Sequence, residues 1–227
     1  MRIAIAIALL LAPSLALAQA PGLPSGMPLV VDMQDVQVGT WSDYDVKVGG
    51  LVLSARWALV ARNAKSNTIE MTVKGDMFAR PLTLRMVLPP DPTSNAKRVK
   101  PPALQIGNDP PMLAPKDYPA PQFLKPEAST LVGSEEIKVP AGTFKTSHYR
   151  ERNASGIVDL WVSKGVHPIG IVKAVTTPQI PKDAPAAMQI TPYVQELAAS
   201  GTGAKPVVKR KPRPFDERLM TGLVSDK

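Results

Sequence analysis

No cysteine occurs in the 227 residues of the chain. That absence excludes disulfides, thiolate nucleophiles, sulfur-ligated metals and the lipid-bearing cysteine of a bacterial lipoprotein. Histidine is almost missing too: His148 and His167 are the only two. Even with Asp159 and Glu151 for company they lack the fixed pair spacing of a zinc motif, so no metal and no cofactor is expected. Aromatic residues make up 5% of the chain, which leaves Val, Ile, Leu and Met to build the core. After the first twenty residues no apolar run approaches the roughly 20 residues that a membrane-spanning helix needs, so no transmembrane segment is expected.

What is present begins with an export signal. Arg2 is followed by an unbroken apolar run from Ile3 to Ala12, then Pro13, then the small residues of Ala16-Leu17-Ala18, the order that a signal peptidase reads. Cleavage after Ala18 is expected, which places the mature protein in the periplasm or outside the cell. Residues 19–35 read as a linker. The formal net charge of +8 is unevenly spread: the signal holds one Arg, and residues 200–227 hold seven Lys or Arg against three acids, leaving +3 for residues 19–199. A body so nearly balanced, without aromatics interleaved among its basic residues, argues against nucleic acid as a partner.

The basic character therefore belongs to the C-terminal tail, residues 198–227, where Lys205, Lys209, Arg210, Lys211 and Arg213 stand among Pro206, Pro212 and Pro214. Proline denies both helix and sheet hydrogen bonding, so the tail reads as disordered and extended. It either holds an anionic envelope component or envelope protein by screened electrostatics or serves only to solubilise the chain.

Between signal and tail, residues 36–197 alternate with a period of two, the mark of strands. Tyr44, Val46 and Val48 share one face; Gly49-Gly50 suits a hairpin loop; Leu51, Leu53, Ala55, Trp57 and Leu59 mark the inward face of the next strand. Ile69, Met71 and Val73, then Leu82, Leu84, Met86 and Leu88, continue a four-stranded meander. Residues 89–126 interrupt it with eleven prolines, which cannot sit inside a central strand. They read as a long connection pinned by Val99, Leu104, Ile106, Met112 and Leu113, either a lid over an apolar groove or a plain crossover. Hairpins then resume over 130–176, with turns at Val139-Pro140-Ala141-Gly142 and Asn153-Ala154-Ser155-Gly156. A last strand, or a helix, is expected within 187–197.

Catalysis finds no constellation. Ser147 and His148 point to opposite faces of a strand, as do Glu135 and Glu136, and no nucleophile elbow surrounds Ser155 or Ser163. Asp43 and Asp45 share a face about 6.6 Å apart along a strand, which suits a solvated surface better than an acid–base pair. The chain is not expected to be an enzyme.

Val38-Gly39-Thr40-Trp41-Ser42-Asp43-Tyr44, Val139-Pro140-Ala141-Gly142-Thr143-Phe144, Leu160-Trp161-Val162-Ser163 and Gly170-Ile171-Val172-Lys173 together resemble a group of bacterial envelope proteins similar to the LolA/LolB half-barrel family, over roughly residues 36–176. The resemblance implies a mainly β fold: a curved antiparallel sheet or incomplete barrel, with room for one packing helix and a concave apolar face suited to acyl chains or a hydrophobic peptide. The expected function is a periplasmic binding protein holding such a ligand against Trp57, Met71, Leu84 and Trp161, unless those residues pack a helix and leave no cavity. The alternative is a structural or interaction protein of an envelope assembly, docking through its basic tail, long loop or sheet edge.

Overall fold

The computed structural model describes residues 33, 35–48, 50–75, 78–90, 101–114, 130–153, 156–178, 193–216 and 218. The expected signal segment, residues 1–18, and most of the expected linker, residues 19–35, lie outside them. Alternation yields strands where it was expected: β1 (Trp41–Val48), β2 (Leu51–Asn63), β3 (Ser66–Gly75) and β4 (Leu82–Leu88) form the meander. Gly50 enters the first hairpin at a φ of +79°, a conformation open to glycine at little cost. Farther along the chain, β7 (Leu131–Val139), β8 (Gly142–Asn153), β9 (Gly156–Val162) and β10 (Ile171–Pro178) form a second meander. Pro140 and Ala141 make its first turn, as their sequence requires.

One expectation changes here, and an open choice between strand and helix is decided for the strand. The proline-rich segment contains two short strands, β5 (Ala103–Ile106) and β6 (Met112–Leu113), which extend the first meander at its edge. Prolines flank them at 101, 102, 110 and 111 without interrupting either, which is how proline is accommodated at a sheet edge. Leu104, Ile106 and Met112 are buried as pinning residues should be, whereas Leu113 is exposed; Val99 lies outside the described residues. The closing element is the strand β11 (Tyr193–Gly201), and no helix packs on the sheet among the described residues. It pairs with β1 and β10, and so joins the two meanders into one eleven-stranded antiparallel sheet of order β6-β5-β4-β3-β2-β1-β11-β10-β9-β8-β7.

The sheet is open rather than closed into a barrel, but it curls. In a flat sheet the β7–β8 turn would lie three strand spacings from β11, about 14 Å. Instead the Ala141 amide donates to the Leu197 carbonyl at 3.0 Å. The curl is possible because residues 142–146 of β8 pair only with β7 and overshoot β9, whose pairing begins at Ser147. A two-stranded ribbon twists more freely than a wide sheet, and it brings Val139, Ile137 and Phe144 against the core.

Cross-strand register runs the core in rows. Trp57, Met71, Leu84, Leu104 and Met112 are successive partners on one face, and Tyr44, Ala55, Val73, Leu82 and Ile106 form the next row. Val166 and Ile169, from the β9–β10 loop, and Val36, from the approach to β1, pack into the same core. Met33, assigned to the linker by sequence, is buried there as well, and its carbonyl accepts from the Arg62 guanidinium. Linker and domain therefore overlap.

The largest correction concerns the tail. Residues 202–213, expected to be disordered, run as a strap across the face of β1–β6 opposite the core, and Phe215 beyond them packs against the core cluster. The Trp41 indole donates to the Thr202 carbonyl at 3.1 Å, and the Ala204 amide donates to the Gly39 carbonyl at 2.8 Å. Val208 is fully buried. At the far end Arg213 forms a parallel bridge with Met112, its amide donating to Pro111 and its carbonyl accepting from Leu113. The prolines do not prevent this, because Pro206, Pro212 and Pro214 alternate with the residues whose amides find partners.

Candidate functional site

The four residues expected to line an apolar concavity are not together. Trp57, Met71 and Leu84 are adjacent in one row, but they are 2%, 6% and 3% exposed and belong to the packed core. Trp161 lies on the other face: it pairs with His148 and Lys173, a register that continues through Glu196 to Asp45, one residue out of step with Tyr44 and Val46. A shallow cleft lined by Met33, Arg62, Asn63, Asn67 and Pro90 sits beside the β2–β3 turn. It contains none of the four.

Around Trp161 the same face carries a compact polar group. The indole stacks on His148 with centroids 4.4 Å apart and donates to Glu135 at 2.7 Å. His148 places Nε2 2.6 Å from Asp159 and Nδ1 3.0 Å from Glu135. Arg150 completes the Asp159 contacts at 2.7 Å, and this hydrogen bond raises the guanidinium pKa above its ordinary value. Lys173 pairs with Glu196 and lies over the indole. The carboxylates of this group are thus matched by His148, Trp161, Arg150 and Lys173, an arrangement that fastens β7–β11 side by side.

The strap face is built differently. Its outer row runs Trp41, Ala58, Glu70, Arg85, Ala103 and Leu113. Glu70 is 2% exposed, a costly place for a carboxylate unless every oxygen is satisfied. Both are: Oε2 accepts from the Val207 amide at 2.7 Å, and Oε1 accepts from Val208 at 3.1 Å and from Arg85 at 2.9 Å. Ala58 and Ala103 flank this clamp in the row and are buried despite facing away from the core, as small residues beneath a crossing chain would be. At the strap's origin Trp41 packs so closely on Gly201 that an added Cβ would come within 2.9 Å of the ring. Arg56 lies over the same indole at 4.3 Å while binding both oxygens of Asp43 at 2.7 and 2.6 Å; that hydrogen bond raises the Arg56 pKa above its usual range.

This clamp gives the basic residues a defined setting. Lys205, Lys209, Arg210, Lys211 and Arg213 are all exposed, and their backbone is held at 204, 207, 208 and 213. Asp216, close to Arg213, is engaged by Arg218, whose hydrogen bond holds its carboxyl below the usual range. Sequence reasoning found the five cations and missed Glu70. The signal available was a charged residue between Ile69 and Met71 with small residues on neighbouring strands, but alternation alone assigns such a residue to solvent.

No family model matches the sequence, and neither does any curated protein. Among solved structures the chain is similar to a candidate lipoprotein from Parabacteroides distasonis, at 13% identity over 73% of this chain and 96% of that one, with a TM-score of 0.36. It is also similar to a candidate exported protein with a YmcC-like fold from Bacteroides fragilis, at 12% identity over 73% and 97%, TM-score 0.33. A hypothetical protein from Chlamydia trachomatis matches at 10% identity over 84% and 100%, TM-score 0.38. Likenesses this distant carry no function from those proteins to this one. The open antiparallel sheet agrees with the half-barrel architecture, while membership of the LolA/LolB family finds no matching model.

Proposed function

We propose that this protein is a non-enzymatic interaction module of the cell envelope, acting after export and docking an anionic partner through the cations of its strap. One observation carries the reading: the buried Glu70 carboxylate clamps the Val207 and Val208 amides, so Lys205, Lys209, Arg210, Lys211 and Arg213 project from a fixed backbone. Charges already ordered lose less freedom on binding than charges on a free chain, and a fixed array also selects the spacing of its partner. Carriage of an acyl chain or hydrophobic peptide, the other expectation, would need Trp57, Met71 and Leu84 to open from a row that is packed.

Co-sedimentation of the mature chain with isolated envelope fragments tests the proposal. Replacing Lys205, Lys209, Arg210 and Lys211 together by Gln is expected to abolish co-sedimentation while leaving the melting temperature nearly unchanged. Undiminished co-sedimentation of that variant would overturn it. Saturable uptake of a fluorescent fatty acid by the wild-type chain, displaced by phospholipid, would favour carriage instead.

A further inference from the structure

We infer that the partner of the strap face is the surface of an anionic lipid bilayer, on which the strap lies flat. The inference rests on the proposed docking function and adds what the docking surface meets. Cations alone would suit any polyanion, but this face also exposes apolar side chains. Val207 is 44% exposed, Leu113 42% and Val87 39%.

Each of the three is placed against the strap by register or hydrogen bonding. Val207 is on the strap itself and follows Lys205 by two residues. Leu113 donates its amide to Arg213. Val87 shares the outer face of β4 with Arg85, which binds Glu70. Apolar groups interspersed with Lys and Arg are the composition of surfaces that sit at the headgroup boundary, the charges on phosphates and the apolar groups below them. Against a soluble polymer of phosphates or sulfates those apolar groups would stay in water and contribute nothing.

Geometry agrees with a flat contact. The eight residue steps from Lys205 to Arg213 span at most about 29 Å of extended chain, and the strap follows a sheet face instead of folding into a pocket. Of the acids beside the strap, Glu70 is buried beneath it, Asp43 is bound by Arg56 and Asp216 by Arg218, while Asp45 is exposed farther along the outer face of β1. From Lys205 to Arg213 the strap's own side chains carry charge of one sign only.

Flotation of the mature full-length protein with vesicles tests this, using phosphatidylcholine alone and an equimolar mixture with phosphatidylglycerol, beside retention on a polyphosphate matrix. The protein is expected to float with the anionic vesicles and not with phosphatidylcholine. The variant with Lys205, Lys209, Arg210 and Lys211 replaced by Gln is expected to lose affinity for them by about 100-fold or more at low salt. Val207→Ser with Leu113→Ser, verified as folded by circular dichroism, is expected to lose several-fold in high salt, where charge is screened and apolar contact remains. Binding to vesicles that ignores this double substitution would overturn the inference. Retention on polyphosphate without flotation would overturn it too while sparing the docking function, and failure on both matrices would remove both readings.

Discussion

A single carboxylate decides whether the C-terminal chain is a tail or a strap. Glu70 accepts from two successive backbone amides and from Arg85, and charge-assisted hydrogen bonds of this kind are about twice as strong as neutral ones. Glu70→Ala would strand the Arg85 guanidinium and two amides, and urea unfolding is expected to show a loss of about 3–5 kcal/mol, the usual cost of removing one partner of a buried pair. Glu70→Gln keeps one acceptor oxygen and should cost less. A second buried group makes the core sensitive to alkali. The Tyr44 hydroxyl donates to the Ile171 carbonyl at 2.8 Å, and burial pushes its pKa well above the ordinary 10.0. The unfolded chain ionises near that ordinary value while the folded one does not. Stability from this group is thus complete below pH 10 and falls as the pH rises beyond it. Tyr44→Phe is expected to lose about 1–2 kcal/mol at neutral pH, because the buried Ile171 carbonyl loses that donor, and to show a shallower alkaline decline in a denaturation series.

Among the elements, those with strict alternation were legible and those with proline were not. β1 to β4 and β7 to β10 could be read from residues such as Ile69, Met71 and Val73, because one face is buried and a shift by one residue would expose every apolar side chain. β5, β6 and the strap were hidden by the same cause. Their prolines forbid a continuous ladder but not the isolated hydrogen bonds that an edge or a crossing chain makes, and nothing local announces that Arg213 will meet Met112. The candidate site was half legible on the same terms: the five cations are plain in sequence, whereas their fixation depends on a glutamate more than 130 positions earlier. The strap also covers the edge strand β6, which otherwise offers unpaired amides. Removal of residues 202–227 is expected to speed hydrogen exchange at Leu113 and to promote self-association, read by exchange mass spectrometry and by sedimentation; unchanged exchange at Leu113 would contradict the edge-covering role.

For the whole molecule, the decisive strand pairing is the one most distant in sequence. β1 and β11 pair from Trp41 with Gly201 to Lys47 with Val194, uniting two meanders that are each locally connected. Periodicity reveals each meander but carries no information on how the two abut, which is why an open sheet could be anticipated while its central seam could not. Loop closure of that length is slow and its contacts form late, so a chain ending before Tyr193 should fail to reach the native sheet even with every residue of the first meander present. The seam also sets the origin of the strap, since β11 ends at Gly201 beneath Trp41 and delivers the chain to the outer face. The account therefore turns on whether residues 204–213 are held there. Residue-resolved amide hydrogen exchange of the protein in solution tests this most directly. Val207, Val208 and Arg213 are expected to exchange as slowly as amides of the neighbouring strands, and to be released together in Glu70→Ala; exchange of these amides at the rate of an unstructured peptide in the wild-type protein would contradict it.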